Sequence, residues 1–285
     1  MFESIKIRQV QNEILSIFIE IDKLCEKHGL RYYAIGGTCI GAVRHNGFIP
    51  WDDDLDIAMP RKDYEHFIAI ASEELPDHLK LFLPSEIEHF ESVFCKVHNI
   101  NTTFVQRYVS MYSDRYTGVF VDIMPLDGQP NDGLERKKHY KRLKKIGLLN
   151  LNRRKNCQDL HSGLMYALWY PIKKMIDLRS FHAYYDDYTV ELKKYDFDSS
   201  LFTGYGWCNL LEKLTFPQKD FSDYILFPFE DYHMRCPIGY DDFLSTMFGD
   251  YMQLPNESER QPSHDAFIDL DTPYKYYQIN GIPED

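Results

Sequence analysis

The chain has 285 residues, 44% of them apolar and 27% charged, a composition that fits a globular protein near the upper size for one hydrophobic core and excludes a small stapled module. Its 21 Tyr, 19 Phe and 3 Trp exclude an intrinsically disordered chain. The balance of 44 acids against 32 bases, a net charge of −12, argues against a general nucleic-acid coat protein, because that affinity comes from neutralising phosphates with Lys and Arg.

In chain order, Ile5, Val10, Ile14, Ile17, Phe18, Ile21, Leu24 and Cys25 recur mostly three or four apart and predict a helix over 2–28, closed by Gly29. Arg31 to Ile35 reads as a short strand, and Gly36-Gly37-Thr38 as a turn into a short helix through Ile40, Ala42 and Val43. A loop from His45 to Trp51 then delivers the chain to a second strand, Asp52 to Met59, with Pro60 at its end. Tyr64, Phe67, Ile68 and Ala71 predict another helix, and strand-like runs recur at 79–83, 93–97, 103–109 and 119–124. The expectation is a mixed α/β core. From Asp132 to about Tyr195 the texture changes. Residues 135–155 hold ten Lys or Arg, and 164–178 is apolar and aromatic with helical spacing, so both read as helices added to the core. The last portion is rich in aromatics, Asp and Pro and is expected to pack back over it. Six cysteines form no C-x-x-C pair, and neither a leader-like apolar stretch nor a run of about 18 apolar residues occurs, so reduced thiols and a cytoplasmic setting are expected.

The most informative stretch is Gly36-Gly37-Thr38 followed by Asp52-Asp53-Asp54-Leu55-Asp56. On a strand, residues two apart share a face, so Asp54 and Asp56 project together, joined by Asp52 if the strand begins that early. Leu55 and Ile57 point the other way, into the core. Adjacent carboxylates repel, and a divalent cation relieves the repulsion; oxygen-only ligands suit Mg²⁺ or Mn²⁺. A calcium-loop reading fails because Ile57 stands where Gly is needed and Pro60 falls at the ninth position. Gly-Gly pairs are commonly ordinary turns, but between a strand and a helix their backbone N–H groups can hold a phosphate, and Thr38 can add a hydroxyl. A third acid, Asp122, sits amid apolar residues on the 119–124 strand, as a metal ligand or as a structural acid.

The segment Ala34 to Arg61, with its Gly36-Gly37-Thr38 and Asp52-Asp53-Asp54-Leu55-Asp56, closely resembles the LicD family of phosphorylcholine transferases, which have a nucleotidyltransferase-like fold. The similarity continues through Asp122 to Gly128 and through Pro237 to Pro255. The resemblance implies a nucleotidyltransferase-like mixed sheet core flanked by helices. It covers roughly the first 130 and the last 60 residues and is less clear over 132–200, so the expected organisation is a core over 1–131, a basic and aromatic helical insertion over 132–200 read from its composition, and a C-terminal segment over 201–285 that packs back on the core. The resemblance also implies a CDP-linked donor such as CDP-choline bound at Gly36, Gly37 and Thr38, metal at Asp54 and Asp56 with Asp122 as third carboxylate, and a glycan or lipid-linked glycan hydroxyl as acceptor.

On that footing, Asp54, Asp56 and Asp122 hold Mg²⁺ against the diphosphate while an acceptor hydroxyl attacks the phosphorus bearing choline and CMP leaves; Asp122 is a candidate to orient or deprotonate that hydroxyl. Arg44 and Arg61 are candidates for gripping phosphate oxygens, or surface charges paired with a nearby Asp. His45 and Trp51 read as loop-packing residues. Choline's quaternary ammonium favours aromatic faces, for which Tyr240, Phe243 and Tyr251 are candidates. The basic 135–155 stretch and the adjoining Leu164 to Tyr170 read either as a solvated face and ordinary core or as a peripheral contact with the inner face of a membrane. No nucleic-acid partner is expected. Two alternatives remain: a nucleotide-sugar glycosyltransferase, whose Asp-x-Asp motif also binds metal and diphosphate but normally follows several nucleotide-binding strands, and a non-enzymatic choline- or glycan-binding module.

Overall fold

The first predicted helix forms as α1, Ser4–His28, and its apolar stripe is the floor of the core: Val10, Ile14, Ile17, Phe18, Ile21 and Cys25 are at most 1% exposed. It stops where predicted. Gly29 takes a left-handed φ of +64°, and the Leu30 N–H donates to the Cys25 carbonyl at 2.9 Å, the reversed bond that closes a helix C-terminus. This computed structural model describes residues 4–86, 94–110, 115–154, 170–172, 174–176, 178–205 and 213–283.

Strand β1 is Tyr33–Ala34, followed by α2, Gly36–Ile40, which runs on through a wider π-helical turn, Gly41–His45. The second strand, β2, is Asp56–Pro60 and leads directly into α3, Arg61–Glu74. Strands β3 (Leu79–Phe82), β4 (Cys95–Asn99) and β5 (Thr103–Gln106) follow, and then β6, Phe120–Gln129, buried along its whole length. The main sheet runs β1-β2-β6-β4-β3, with β2 and β6 parallel and the other pairs antiparallel. Helices α1 and α3 pack on this sheet and on each other. The far end of β6 pairs β7 (Phe202–Gly204), which pairs β8 (Thr215–Pro217). The architecture is thus the expected α/β one, a curled mixed sheet flanked by helices.

The helix expected over 135–155 forms as α4, Gly133–Arg154, and a further helix, α5, Phe181–Leu192, follows the second expected stretch. They pack together through a small apolar cluster of their own, Tyr140, Leu143, Tyr188 and Leu192. Of the helix expected over 164–178, residues 164–169 lie outside the described residues, while 170–172 and 174–176 are helical. Beyond β8 come the hairpin β9 (Tyr224–Phe229) and β10 (Tyr232–Pro237), helix α6 (Tyr240–Phe248), strand β11 (Ala266–Asp269) and helix α7 (Tyr274–Asn280). Strand β11 pairs antiparallel with β5, so the last portion of the chain returns to the core.

Two strand expectations are corrected. The strand expected from Asp52 begins only at Asp56, where the parallel register with β6 starts; Asp52 to Leu55 is loop. The strand expected over 103–109 ends at Gln106, because Arg107–Val109 tightens into a 3₁₀ turn.

Candidate active site

The site grows from the β1–α2 junction. Ile35 is extended, and Gly36, at φ +54°, turns the chain into α2 in a conformation that side chains resist. At Gly37 the constraint is space, since a Cβ there would stand 2.6 Å from Asp52 Oδ2. The group that the glycine admits is therefore a carboxylate of the chain itself. Thr38 is buried, and its Oγ1 accepts the Asp56 N–H at 2.8 Å. That bond ties the first turn of α2 to the start of β2 and leaves the hydroxyl's own O–H to donate elsewhere.

Register assembles the acids. Asp56 lies opposite Asp122 on β6, and Asp122 lies opposite Lys96 on β4, so three polar side chains form one row across three strands. Residues in register share a face, while Ile57, Val97 and Ile123 alternate to the other face, fully buried. Lys96 Nζ donates to Asp122 Oδ1 and sits 3.6 Å from the centre of the Phe120 ring. Sequence reasoning missed Lys96, whose signal was a lone charge between buried Cys95 and Val97.

The loop before β2 sorts its acids by direction. Asp53, 2% exposed, accepts the Ser263 and His264 N–H groups at 3.0 and 3.3 Å and faces His264 Nδ1 at 3.1 Å. Asp52 accepts Ser263 Oγ–H at 3.0 Å and shares a hydrogen bond with Asp54. Asp52, Asp54 and Asp56 line a cavity of about 740 Å³, together with Gly36, Gly37 and Arg44. Residues 250–263 supply much of the opposite wall, a contribution that residue spacing alone did not signal.

These carboxyls are held protonated beyond their ordinary range. Burial pushes Asp56 up to about 8, reinforced by Asp122 and opposed by Lys96. Asp54 is raised well above the usual value by burial and then by Asp56, Asp52, Asp53 and Asp122. Asp122 is raised by burial, with Lys96 pulling against it. Among the described residues no donor reaches the Asp56 carboxylate. Crowded, under-compensated carboxyls of this kind fit a divalent cation, and an all-oxygen set suits Mg²⁺ or Mn²⁺. Asp53, Asp54 and His264 also bring ligand atoms within 4.8 Å of one another and can hold a metal ion.

The remaining candidates separate. Arg44 lines the cavity, held by the carbonyls of Tyr251 and Gln253. Arg61 sits elsewhere, just past the other end of β2. Its Nε and Nη2 donate to the two oxygens of Asp127 at 2.7 and 2.6 Å, with the side chains only 12% and 1% exposed. That buried fork commits two of the guanidinium nitrogens to Asp127, the arrangement of the paired reading of Arg61. Of the aromatic candidates, Phe243 is fully buried against Phe216 and Phe221, and Tyr240 packs edge-on to Phe227. Tyr251 does line the cavity, its hydroxyl donating to Asp241. Trp51, expected only to pack a loop, lines it too, with the Arg260 guanidinium 5.6 Å from its ring.

The profile of the LicD/FKTN/FKRP nucleotidyltransferase domain matches residues 29–151, the span that carries the glycine turn and the row of acids. The lipopolysaccharide cholinephosphotransferase LicD of Haemophilus influenzae is 29% identical over 283 residues, covering 93% of this chain and 99% of that protein. Over residues 29–151 the chain is thus similar to the LicD family. Uncharacterized proteins of Rickettsia typhi and Rickettsia prowazekii share 49% and 48% identity over 45 and 44 residues, 16% and 15% of this chain. Within the LicD-family domain the matched span ends inside α4, whereas the wall built from 250–263 lies wholly beyond it.

Proposed function

We propose that this chain is a phosphotransferase that moves phosphocholine, or a similarly substituted phosphate, from a CDP-linked donor to a hydroxyl of a glycan or lipid-linked glycan. The observation that carries the reading is the set of Asp52, Asp54 and Asp56 on one cavity wall, backed by Asp122 and facing Gly36, Gly37 and Arg44. The family and the name of the Haemophilus relative support it.

Asp54 and Asp56 would hold Mg²⁺ or Mn²⁺, with Asp122 behind them; the ion would neutralise charge on the diphosphate oxygens and the departing CMP. The protein's own share is positioning. Arg44 offers its remaining N–H groups to phosphate oxygens, and the backbone at Gly36 and Gly37 allows close approach. The acceptor oxygen attacks the phosphorus bearing the choline from the side opposite CMP, the bond to CMP breaks, and the hydroxyl proton passes to a cavity carboxylate. Trp51 and Tyr251 offer aromatic surface to a quaternary ammonium.

Isothermal titration with CDP-choline, CDP-ribitol and a UDP-sugar, with and without Mg²⁺, tests the reading. Metal-dependent binding of a CDP compound is expected, and release of CMP on adding a glycan acceptor completes the test. Binding of the UDP-sugar alone would point to a glycosyltransferase, and metal-blind binding of choline to a recognition module. Asp54→Asn is expected to lower turnover by at least 100-fold, on the order of the loss when charge stabilisation is removed, with the fold intact by circular dichroism.

A further inference from the structure

Helix α4 is one-sided. His139 and Leu143, both fully buried, mark the side packed toward α5. With successive residues about 100° apart, Lys137, Lys138, Lys141, Lys144 and Lys145 all project within about 60° of Lys141, diametrically opposite that seam. All five are exposed. Leu134 and Leu148 stand seven residues to either side of Lys141, so they fall on the same stripe, and they are 71% and 41% exposed. Their separation along the axis is about 21 Å.

This stripe contains no acid. Glu135 lies off its edge and is engaged by Arg142, reaching Lys138 at 3.5 Å. Arg142 in turn bonds Glu191 of α5, so the acids of this layer are drawn to the packed side. Lys137, Lys141, Lys144 and Lys145 have no ion-pair partner among the described residues. In a chain of net charge −12, four uncompensated lysines on one helix face form a local field of the opposite sign. Exposed apolar side chains recur in the segment that follows, with Ile172 at 52%, Met175 at 73% and Leu178 at 85%.

We propose that the lysine stripe of α4 docks on an anionic phospholipid surface. Charge complementarity selects the partner, and the leucines select between polyanions. On a bilayer the lysine stems lie along the interface with their ammonium groups among the phosphates, while Leu134 and Leu148 enter the boundary between headgroups and acyl chains. A nucleic-acid backbone matches the lysines and leaves both leucines in water. The inference stands on α4 alone and does not depend on the donor chemistry.

The test is vesicle flotation of the full chain with phosphatidylcholine vesicles and with mixed phosphatidylcholine–phosphatidylglycerol vesicles, at low and at physiological salt. Binding to the mixed vesicles only, weakened by salt, is expected. The triple variant Lys141→Gln, Lys144→Gln, Lys145→Gln is expected to bind on the order of 100-fold more weakly, at about fivefold per lysine. The corresponding triple Lys→Arg variant should retain binding, and both should keep the parent circular-dichroism melting curve. Leu134→Ser with Leu148→Ser should reduce the bound fraction at physiological salt. Failure to float with anionic vesicles at low salt, undiminished flotation of the Gln variant, or lysine-dependent capture of a short DNA duplex without flotation would each overturn the proposal.

Discussion

At the scale of single residues, the pair Lys96–Asp122 decides how the site can exist without collapsing. Lys96 is 13% exposed and Asp122 9%, so each charge has left water and depends on the other. Removing one partner strands the other: Lys96→Met is expected to cost about 3–5 kcal/mol in urea unfolding, and Lys96→Met with Asp122→Leu to recover much of it. A loss under 1 kcal/mol for the single variant would mean that Asp122 has another cation. Asp56 makes the opposite prediction, because it lacks a donor. Its carboxyl is held at about 8, against a usual value near 4, so the folded chain binds more protons than the unfolded one between those limits. Stability of the metal-free protein therefore falls as pH rises through that window. Asp56→Asn, or added Mg²⁺, should flatten the slope of melting temperature against pH. An unchanged slope would remove Asp56 from the set of strained carboxyls. Asp56 and Asp122 stood out in the sequence as acids embedded in apolar strands, and the register sets them side by side, while Asp54 stood out only as part of the acidic run. The sequence did not show that Lys96 answers Asp122, since that pairing is a matter of register between β4 and β6.

At the scale of elements, most helices and strands were legible because their apolar periods match the faces they bury, as in α1 and β6. The misjudged start of β2 has a physical cause. Pairing with β6 starts at Asp56–Asp122 although β6 itself begins two residues earlier at Phe120, so Asp54 and Leu55 leave the ladder instead of extending it. Three successive acids in loop can also aim in different directions, which a pleated strand forbids, and Asp53 uses that freedom to face His264. Which acid would pair with Arg61 was hidden for a related reason, since Asp127 lies 66 residues away at the far end of β6. The fork anchors α3, whose first residue is Arg61, to the central strand. Arg61→Met is expected to lower stability by about 3–5 kcal/mol, as breaking a buried ion pair does, while leaving the KM for the CDP donor unchanged in the protein that remains folded. A raised KM with unaltered stability would return Arg61 to the phosphate site.

At the scale of the whole molecule, the cavity belongs to two stretches of chain separated by 191 residues. The acids and glycines come from 36–56, and the facing wall from 248–263. The seam between them is polar: Ser263 and His264 bond Asp52 and Asp53, and the Tyr251 and Gln253 carbonyls hold Arg44. Pairing of β11 with β5 anchors the returning segment just beyond this seam. Such cross-chain bonds open more readily than the apolar core under α1, because the wall residues from Met252 to Leu254 are exposed and few of their neighbours are buried. A donor that spans the cavity touches both walls, so its binding must slow opening on both sides. Hydrogen exchange with and without CDP-choline and Mg²⁺ measures this directly. Protection is expected to rise together over 36–56 and 248–264 and to stay constant over α4, which contributes no residue to the cavity lining and packs on α5. Protection of the first stretch without the second would mean that the donor is held by the glycine turn and acids alone, and that the returning segment serves the acceptor.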